Sequence, residues 1–344
     1  MPTHYFKIGK KNIGRNELFF SIEEGQANLG DFDKAKAIID IAASTGADAI
    51  EFQFAIAKDI YVKNDPGLEL YLKREFSLIK IKELLSITKK HGMEFVVAPL
   101  SHRLVELLTD AGCSAYNINA SNLTNPDIID AVVDSNLPFF LSIPLATEKE
   151  IDWVVKRINN KGKHDYMFLH GQHTMASGKD GVDVAHTSLG YISTLKKRYG
   201  VPVGFIDHTP YIWMPAAAVA AGADCVTKHL AISRGEKGPD WHICLEPDEM
   251  TQAVSLAKKM KLSIETVVKK LAPGEELDRS IMRKSIVALK TIPVNKKIER
   301  KDLAFKRPGT GLEPSMFEEI IGKIAGRNIR PDEQLKISDL WEGK

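Results

Sequence analysis

The sequence contains few cysteines, with only Cys113, Cys225 and Cys244 among 344 residues. They are odd in number, far apart and outside any Cys-x-x-Cys pair, which disfavours a disulfide framework and a cysteine-based zinc site. We therefore interpret them as buried apolar side chains of a protein in a reducing compartment.

The chain also lacks long apolar runs and a surplus of charge of one sign. No stretch approaches the roughly 18 to 20 apolar residues that a membrane helix needs, and the first residues lack the apolar core of a signal peptide. Lys and Arg number 47, Asp and Glu number 45, and the formal net charge is +2. This balance provides no large basic surface. We expect a cytoplasmic protein with neither nucleic acid nor membrane as a partner.

Short apolar strands and amphipathic helices alternate along most of the chain. The eight predicted strands are residues 19–24, 47–54, 94–99, 115–119, 138–143, 165–169, 201–206 and 224–229. The predicted helices between them include residues 33–45, 76–91, 126–135 and 182–199. Eight such pairs over about 230 residues predict an α/β protein with a closed (β/α)₈ TIM barrel. The alternative is an open doubly wound sheet, but no Gly-x-Gly-x-x-Gly follows the first strand.

The alternation stops near residue 272. Pro273-Gly274-Glu275-Glu276 is typical of a linker, and short strands with Gly and Pro turns follow it. We predict a barrel domain at 1–272, a linker at 273–284 and a small β-rich domain at 285–344. A module of about 65 residues buries little core by itself, so we expect it to pack on its own barrel or on a partner chain.

Polar and titratable residues end several of the predicted strands. In a (β/α)₈ barrel the carboxyl ends of the strands meet at one face, where active sites lie. By this rule we expect the following residues at that face: Glu23, Glu51, Gln53, Asn117, Ser142, His170, His173, Asp207, His208, Lys228 and His229. His208 and His229 end neighbouring strands, so their imidazoles can share one divalent ion. The alternative is two histidines whose partners are backbone groups.

Four carboxylates accompany these histidines. Glu23 interrupts an apolar strand that neighbours the eighth once the barrel closes, so it can complete the metal site or hold a substrate hydroxyl. Glu51 is a candidate general base. Asp207 precedes a metal candidate and is either a catalyst or a group that orients the ligand. Asp240 can bind hydroxyls above the barrel, although a Gly-Pro-Asp sequence is usually just a turn.

Several motifs resemble those of sialic acid synthases. They are Phe205-Ile206-Asp207-His208-Thr209, then Val226-Thr227-Lys228-His229-Leu230, then Gly238-Pro239-Asp240. Residues 22–30 are similar to the family's Ala-Glu-x-Gly-x-Asn-His-x-Gly opening, and residues 306–312 with 321–323 resemble its C-terminal SAF, or antifreeze-like, domain. The resemblance spans nearly the whole chain in the same order and spacing.

The resemblance implies an enzyme of the transferase class that forms a C–C bond. It implies condensation of phosphoenolpyruvate with an N-acetylated amino hexose to give a nonulosonic acid, a nine-carbon 2-keto acid. It further implies a divalent metal, Mn²⁺ or Mg²⁺, that is held by His208 and His229 and activates the sugar aldehyde. Glu23, Gln53 and Asp240 would contact the sugar. Arg307 of the SAF domain would reach the other subunit's site in a domain-swapped homodimer.

The positions that bind phosphoenolpyruvate in the family mostly hold other residues here: Glu51, Ala98, Asn117, Ala120, His173 and Ile206. Glu51 and Asn117 each stand where the family has a lysine, whereas Ser142 is retained. A phosphorylated carboxylate carries about three negative charges and needs cations and N–H donors. Three interpretations therefore stay open: a synthase with a remodelled donor pocket, a metal-dependent sugar or keto-acid aldolase or lyase that does not use phosphoenolpyruvate, and a non-catalytic sugar-binding homologue. The first is our main prediction.

Overall fold

The computed structural model describes residues 4–14, 17–174 and 181–342. The chain divides into two compact units, residues 1–266 and residues 267–344. The boundaries predicted from the sequence, a barrel that ends at residue 272 and a linker that ends at residue 284, remain predictions. Cys113, Cys225 and Cys244 are buried and free, as the sequence predicted.

An antiparallel hairpin that the sequence analysis did not predict precedes the barrel. Its strands are β1 (Phe6–Ile8) and β2 (Lys11–Ile13). Their apolar side chains share one buried cluster with Phe19 and Cys225, which are the first residues of two barrel strands. The hairpin therefore packs against the amino-terminal end of the barrel, away from the predicted site.

Eight parallel strands form a closed barrel in the first unit. They are β3 (Phe19–Glu23), β4 (Ala49–Phe54), β5 (Glu94–Pro99), β6 (Ala115–Ile118), β7 (Phe139–Ser142), β8 (Tyr166–His170), β9 (Val203–Asp207) and β10 (Cys225–His229). Strand β10 pairs with both β9 and β3, which closes the ring. The TIM-barrel prediction is confirmed, the open sheet is excluded, and every predicted strand end lies within two residues of the observed one.

Helices surround this barrel. In the described part of the first unit they are α1 (Phe32–Ser44), α2 (Ala57–Ile60), α3 (Pro66–Leu72), α4 (Leu78–Lys90), α5 (Arg103–Ala111), α6 (Pro126–Asp134), α7 (Glu148–Asn160), α8 (Tyr191–Tyr199), α9 (Met214–Ala220) and α10 (Pro247–Ile264). The predictions of α1, α4 and α6 are confirmed. The predicted helix at 182–199 is wrong over its first half, because Ser188 adopts a φ of +50° that an α-helix cannot contain. None of the described helices combines the length and apolar character that crossing a bilayer requires.

Alternation along the strands divides the apolar core into two clusters. On β3, Phe20 and Ile22 pack with helix residues such as Ile38, whereas Phe19 belongs to the cluster inside the barrel. Because successive side chains of a strand point to opposite faces, Glu23 shares the interior face with Phe19. Glu23 is the last residue of β3, so it lies at the carboxyl end of the barrel interior.

The second unit has its own small core. Its elements are α11 (Glu275–Met282), β11 (Ser285–Ala288), β12 (Leu303–Lys306), α12 (Phe317–Ile320), β13 (Ile324–Ala325) and β14 (Leu340–Trp341). Strands β11 and β12 pair antiparallel, as do β13 and β14, around a separate apolar cluster. Ile292 forms only an isolated bridge with Ile329, and the next residue, Pro293, has no N–H to donate to a ladder.

Candidate active site at the barrel mouth

A cavity of about 510 Å³ opens at the carboxyl ends of the barrel strands. Eight of the eleven residues predicted as catalytic, substrate-binding or metal-binding line it: Glu23, Gln53, Asn117, Ser142, His173, His208, His229 and Asp240. The structure thus brings together side chains that are more than 200 positions apart in the sequence. Glu51 lies beneath the lining, Asp207 does not line the cavity, and Arg307 belongs to the second unit.

Three imidazoles meet on one side of this cavity. The ring centroid of His208 lies 5.2 Å from that of His229 and 4.9 Å from that of His173. Burial, followed by the nearby His229, holds the pKa of His208 well below its ordinary value, and burial also lowers the pKa of His173. Both imidazoles are therefore neutral at pH 7 and carry a lone pair that can bind a metal.

The donor set fits a divalent metal that leaves coordination positions open. Nδ1 of His208 and Nδ1 of His229 are buried and find no hydrogen-bond partner among the described residues. Glu23 Oε1 lies 3.5 Å from His229 Nε2. Within the described ranges no three His, Cys, Asp or Glu side chains are grouped closely enough to hold a metal ion by themselves. The two imidazoles thus suit an ion whose other ligands are water or substrate atoms.

Gly25 gives His229 the space that it occupies. Its φ is +58°, and a Cβ at this position would lie 2.7 Å from Cδ2 of His229. Any larger residue would both strain the backbone and displace the ring. The loop after β3 can therefore pass this close to the imidazole only with glycine at position 25.

Barrel register places Glu23 at the centre of the polar cluster. Its Cα pairs with that of His229 on one side and with that of Glu51 on the other, which confirms that the first and eighth barrel strands are neighbours. Glu23 Oε1 accepts a 2.8 Å hydrogen bond from Gln53 Nε2. Its Oε2 is buried without a hydrogen-bond partner in the described part of the chain. This oxygen is therefore free to accept a hydrogen bond or a proton.

A chain of hydrogen bonds crosses the floor of the cavity. Ser142 Oγ donates to Asn117 Oδ1 at 2.9 Å, and Asn117 Nδ2 donates to Glu51 Oε1 at 2.8 Å. The second bond joins β6 to β4 across strand β5, which lies between them in the barrel. Burial, and then the charge of Glu23, raise the pKa of Glu51 well above its ordinary value, while the Asn117 hydrogen bond opposes the shift. Glu51 therefore holds Asn117 in place from below.

Asp207 is paired with a lysine and does not line the cavity. Lys228 Nζ lies 3.0 Å from Asp207 Oδ2, and both side chains are fully buried. Asp207 Oδ1 accepts a 2.8 Å hydrogen bond from the backbone N–H of Thr209. This arrangement places Asp207 among the framework contacts beside His208, and it does not support the predicted catalytic role.

Further polar side chains line the cavity, and the sequence analysis did not name them individually. Tyr61 and Tyr71 contribute from the segment after β4, and the amides of Asn119, Asn122 and Asn125 contribute from the segment after β6. All five follow the carboxyl end of a barrel strand. Their position after a strand end was the available indication, because loops at this face carry the substrate contacts of TIM barrels.

Comparison with known proteins gives the family. Residues 38–269 match the model of the NeuB family, and residues 283–340 match that of the SAF domain. The chain belongs to the NeuB family. The predicted SAF domain is confirmed by the same comparison, and the resemblance to sialic acid synthases is confirmed with it.

Relatives of this NeuB-family chain match it over nearly its full length. An uncharacterized protein of Methanocaldococcus jannaschii is 31% identical over 97% of this chain and 98% of its own. The N,N'-diacetyllegionaminic acid synthase of Campylobacter jejuni is 28% identical over 91% of this chain and 97% of its own. The crystal structure of N-acetylneuraminic acid synthetase from Leptospira borgpetersenii, in complex with citrate, has a TM-score of 0.74 at 27% identity and covers 80% of this chain and 95% of its own. The prediction of a synthase-like enzyme is thereby confirmed.

Arg307 belongs to the second unit. Its Nε donates a 2.7 Å hydrogen bond to the backbone oxygen of Met282. The role that the family resemblance implies for Arg307, contact with the other subunit's substrate, stays a prediction.

Proposed function

We propose that this chain catalyses the metal-dependent condensation of a 2-keto-acid unit with an amino sugar, which yields a nonulosonic acid. The observation that carries the proposal is the meeting of His208, His229 and Glu23 at the mouth of a NeuB-family barrel. Each of them has a buried atom with no hydrogen-bond partner among the residues that the structure describes. Similarity to the N,N'-diacetyllegionaminic acid synthase of Campylobacter jejuni supports the proposal.

The metal-binding and sugar-binding roles fall to four residues of the cavity. A divalent ion such as Mn²⁺ or Mg²⁺, held by His208 and His229, would supply a Lewis acid for the aldehyde carbonyl of the sugar. The hydrogen bond from Gln53 orients Glu23. Its Oε2, which has no hydrogen-bond partner among the described residues, accepts a hydrogen bond from a sugar hydroxyl or carries a proton during the reaction. Asp240 lines the same cavity and accepts further hydroxyls.

At the floor of the cavity, Ser142 and Asn117 contact the keto-acid unit, and His173 lies next to both substrates. Glu51 is fully buried beneath this floor. We therefore assign it a positioning role, exerted through its hydrogen bond with Asn117, in place of the general base that the sequence analysis considered.

We also propose a cytoplasmic, domain-swapped homodimer in which Arg307 contributes to the site of the other subunit. Exposed apolar side chains in the second unit support a partner surface: Val267, Val268, Leu271, Leu277, Ile281 and Met282. Light scattering during size-exclusion chromatography tests the dimer, and a monomeric mass at micromolar concentration would contradict it.

Titration calorimetry with MnCl₂ tests the metal site. We expect one Mn²⁺ per chain in the wild type, no uptake by His208→Ala, and unchanged uptake by Arg307→Ala, since Arg307 is assigned to sugar binding. Loss of uptake in both variants would contradict these roles. No uptake by the wild type would favour a non-catalytic sugar-binding homologue. Mass spectrometry of the nine-carbon acid formed from N-acetylmannosamine and a three-carbon donor tests the reaction itself.

A further inference from the structure

We infer that Tyr61 and Tyr71, here called the tyrosine pair, determine which sugars this site accepts by holding the end of the sugar that lies away from its aldehyde group. The inference rests on the proposed function, because it assigns further residues to the same sugar site. Tyr61 directly follows α2 and Tyr71 lies within α3, and both side chains line the cavity that His208 and His229 also line.

The order of the strands separates the tyrosine pair from the proposed metal by a definite distance. His229 ends β10, Glu23 ends β3 and Gln53 lies near the end of β4, and these three strands are consecutive in the barrel. Neighbouring strands lie about 4.8 Å apart, so β10 and β4 are separated by about 10 Å along the curved sheet. The chain continues from β4 into α2 and α3, which carry the pair into the cavity lining. A sugar whose aldehyde lies at His229 therefore passes Glu23 and Gln53 before it reaches the pair.

Length separates the sugars that reach this pair from shorter aldehydes. A hexose has five C–C bonds of about 1.5 Å each, whereas a three-carbon aldehyde has two. The hexose therefore extends for up to about 7 Å, and the three-carbon aldehyde for about 3 Å. A hydrogen bond to a hydroxyl adds about 2.8 Å to either reach. Of the two, only the hexose is long enough to contact the tyrosine pair while its aldehyde lies at the metal.

The tyrosine pair has the chemistry that a sugar requires. The two ring centroids lie 5.2 Å apart, and both residues are partly buried. Burial, followed by the nearby Tyr61, raises the pKa of Tyr71; the charge of Asp240 adds to the shift and that of Arg74 opposes it. The Tyr71 hydroxyl therefore keeps its proton at neutral pH and lies close enough to Asp240 to contact the same part of a ligand. Tyrosine offers an apolar face to C–H groups and a hydroxyl that both donates and accepts hydrogen bonds.

Gly67 fixes the position of the Tyr61 ring. A Cβ at position 67 would lie 2.5 Å from Cε1 of Tyr61. The backbone N–H of Gly67 donates a 2.7 Å hydrogen bond to Oδ1 of Asp65, which caps α3 and holds the backbone where the ring packs. An alanine at position 67 therefore displaces the ring of Tyr61.

Contacts with two other loops hold the α2–α3 segment on the barrel. Asp59 accepts a 2.9 Å hydrogen bond from Nε of Arg103, which follows β5. Arg74 Nη1 donates to Oε1 of Gln26, in the loop after β3, at 3.1 Å. The guanidinium carbon of Arg74 also lies 5.8 Å from the centre of the Tyr71 ring. The tyrosine pair thus belongs to a surface that is already in place before a ligand binds, which favours selection by shape.

Steady-state kinetics of the full-length protein with a long and a short aldehyde tests the inference. N-acetylmannosamine is the long aldehyde and D-glyceraldehyde the short one, each with Mn²⁺ and a saturating three-carbon donor. Tyr71→Phe removes one hydroxyl contact, so it should lower kcat/KM about tenfold for N-acetylmannosamine and less than about twofold for D-glyceraldehyde. Gly67→Ala should have the same selective effect, because it displaces the ring of Tyr61. Gly190→Ala is the matched control and should change neither value, since a Cβ there meets no atom within 4 Å.

Titration calorimetry of the Mn²⁺-loaded protein with N-acetylmannosamine gives a second measurement that does not need turnover. Tyr71→Phe and Gly67→Ala should each weaken this binding by about tenfold and leave the uptake of Mn²⁺ unchanged. Far-UV circular dichroism checks that the variants fold, and Tyr71→Phe carries the test if Gly67→Ala does not. An equal loss of kcat/KM for both aldehydes would indicate a general structural effect and overturn the inference.

The outcomes separate this inference from the proposed function. Formation of the nine-carbon acid with an unchanged kcat/KM in both variants would overturn the inference and leave the condensation proposal standing. A wild type that does not bind N-acetylmannosamine would also overturn it. Failure to form an acid from either aldehyde, while N-acetylmannosamine binding still depends on Tyr71 and Gly67, would instead count against the proposed function and support the tyrosine pair as a sugar-binding surface.

Discussion

The buried ion pair between Lys228 and Asp207 provides a quantitative test of how this barrel is stabilised. Both side chains are fully buried, with Nζ 3.0 Å from Oδ2. Lys228 Nζ also donates to the backbone oxygen of Thr209. Removing one member of such a pair leaves the other charge uncompensated in the interior, which typically costs about 3–5 kcal/mol. We expect Lys228→Met to lower the free energy of unfolding by that amount.

The magnitude follows from what remains around Asp207. Without the lysine, Oδ1 keeps its hydrogen bond from the Thr209 N–H, and Oδ2 has no hydrogen-bond donor among the described residues. Removing both charges while an acceptor remains for the Thr209 N–H removes most of the unmet demand. The double variant Lys228→Met/Asp207→Asn should therefore recover most of the stability that Lys228→Met loses.

Urea unfolding of the full chain, followed by far-UV circular dichroism, measures these differences. Arg157→Ala is the matched control, because the Arg157–Asp130 ion pair is about one-third exposed and should contribute less than about 1 kcal/mol. A loss below about 1 kcal/mol for Lys228→Met, or a double variant less stable than the single one, would refute the reasoning.

Three other expectations follow from the site. Gly25→Ala should weaken Mn²⁺ binding by about tenfold in calorimetry without changing the circular dichroism spectrum, because its Cβ would collide with the ring of His229. Burial raises the pKa of Glu24 to about 7 from 4.5, so the folded state holds this proton more tightly and stability falls as the pH rises through that range. Glu24→Gln removes this titration. The difference between its free energies of unfolding at pH 4 and pH 8, measured with urea, should therefore be smaller than that of the wild type by about 3 kcal/mol. Ser142→Ala leaves Asn117 Oδ1 without its donor and should cost about 1–3 kcal/mol in the same assay.

Much of the barrel could be predicted because its strands are short apolar runs and several of its helices end at a glycine. Gly112 and Gly200 adopt positive φ values at the ends of α5 and α8, where the chain turns toward the next strand. The strands of the β1–β2 hairpin contain only three residues each, too few to show a periodicity. The break near Ser188 also escaped prediction, because its positive φ is not evident from the residue type.

Within the site, the sequence indicated which residues lie near the end of a strand. It did not indicate how deep each side chain lies or to which face it points. Asp207 and His208 are adjacent, yet only His208 lines the cavity, since successive side chains leave a strand on opposite faces. Glu51 and Gln53 share a face, but Gln53 reaches the cavity and Glu51 lies one layer below it. A sequence assigns such residues to a strand end without stating how far each lies from the opening.

What the sequence by itself determined is the order of strands and helices and the chemical groups carried at the strand ends, because periodicity and turn formation depend on near neighbours. Only the tertiary structure shows that Lys228 forms an ion pair with Asp207 and that Glu51 accepts a hydrogen bond from Asn117. It alone also brings three imidazoles to the same side of the cavity. These contacts join residues from different strands. They exist only once the barrel closes and its register brings distant segments to the same height.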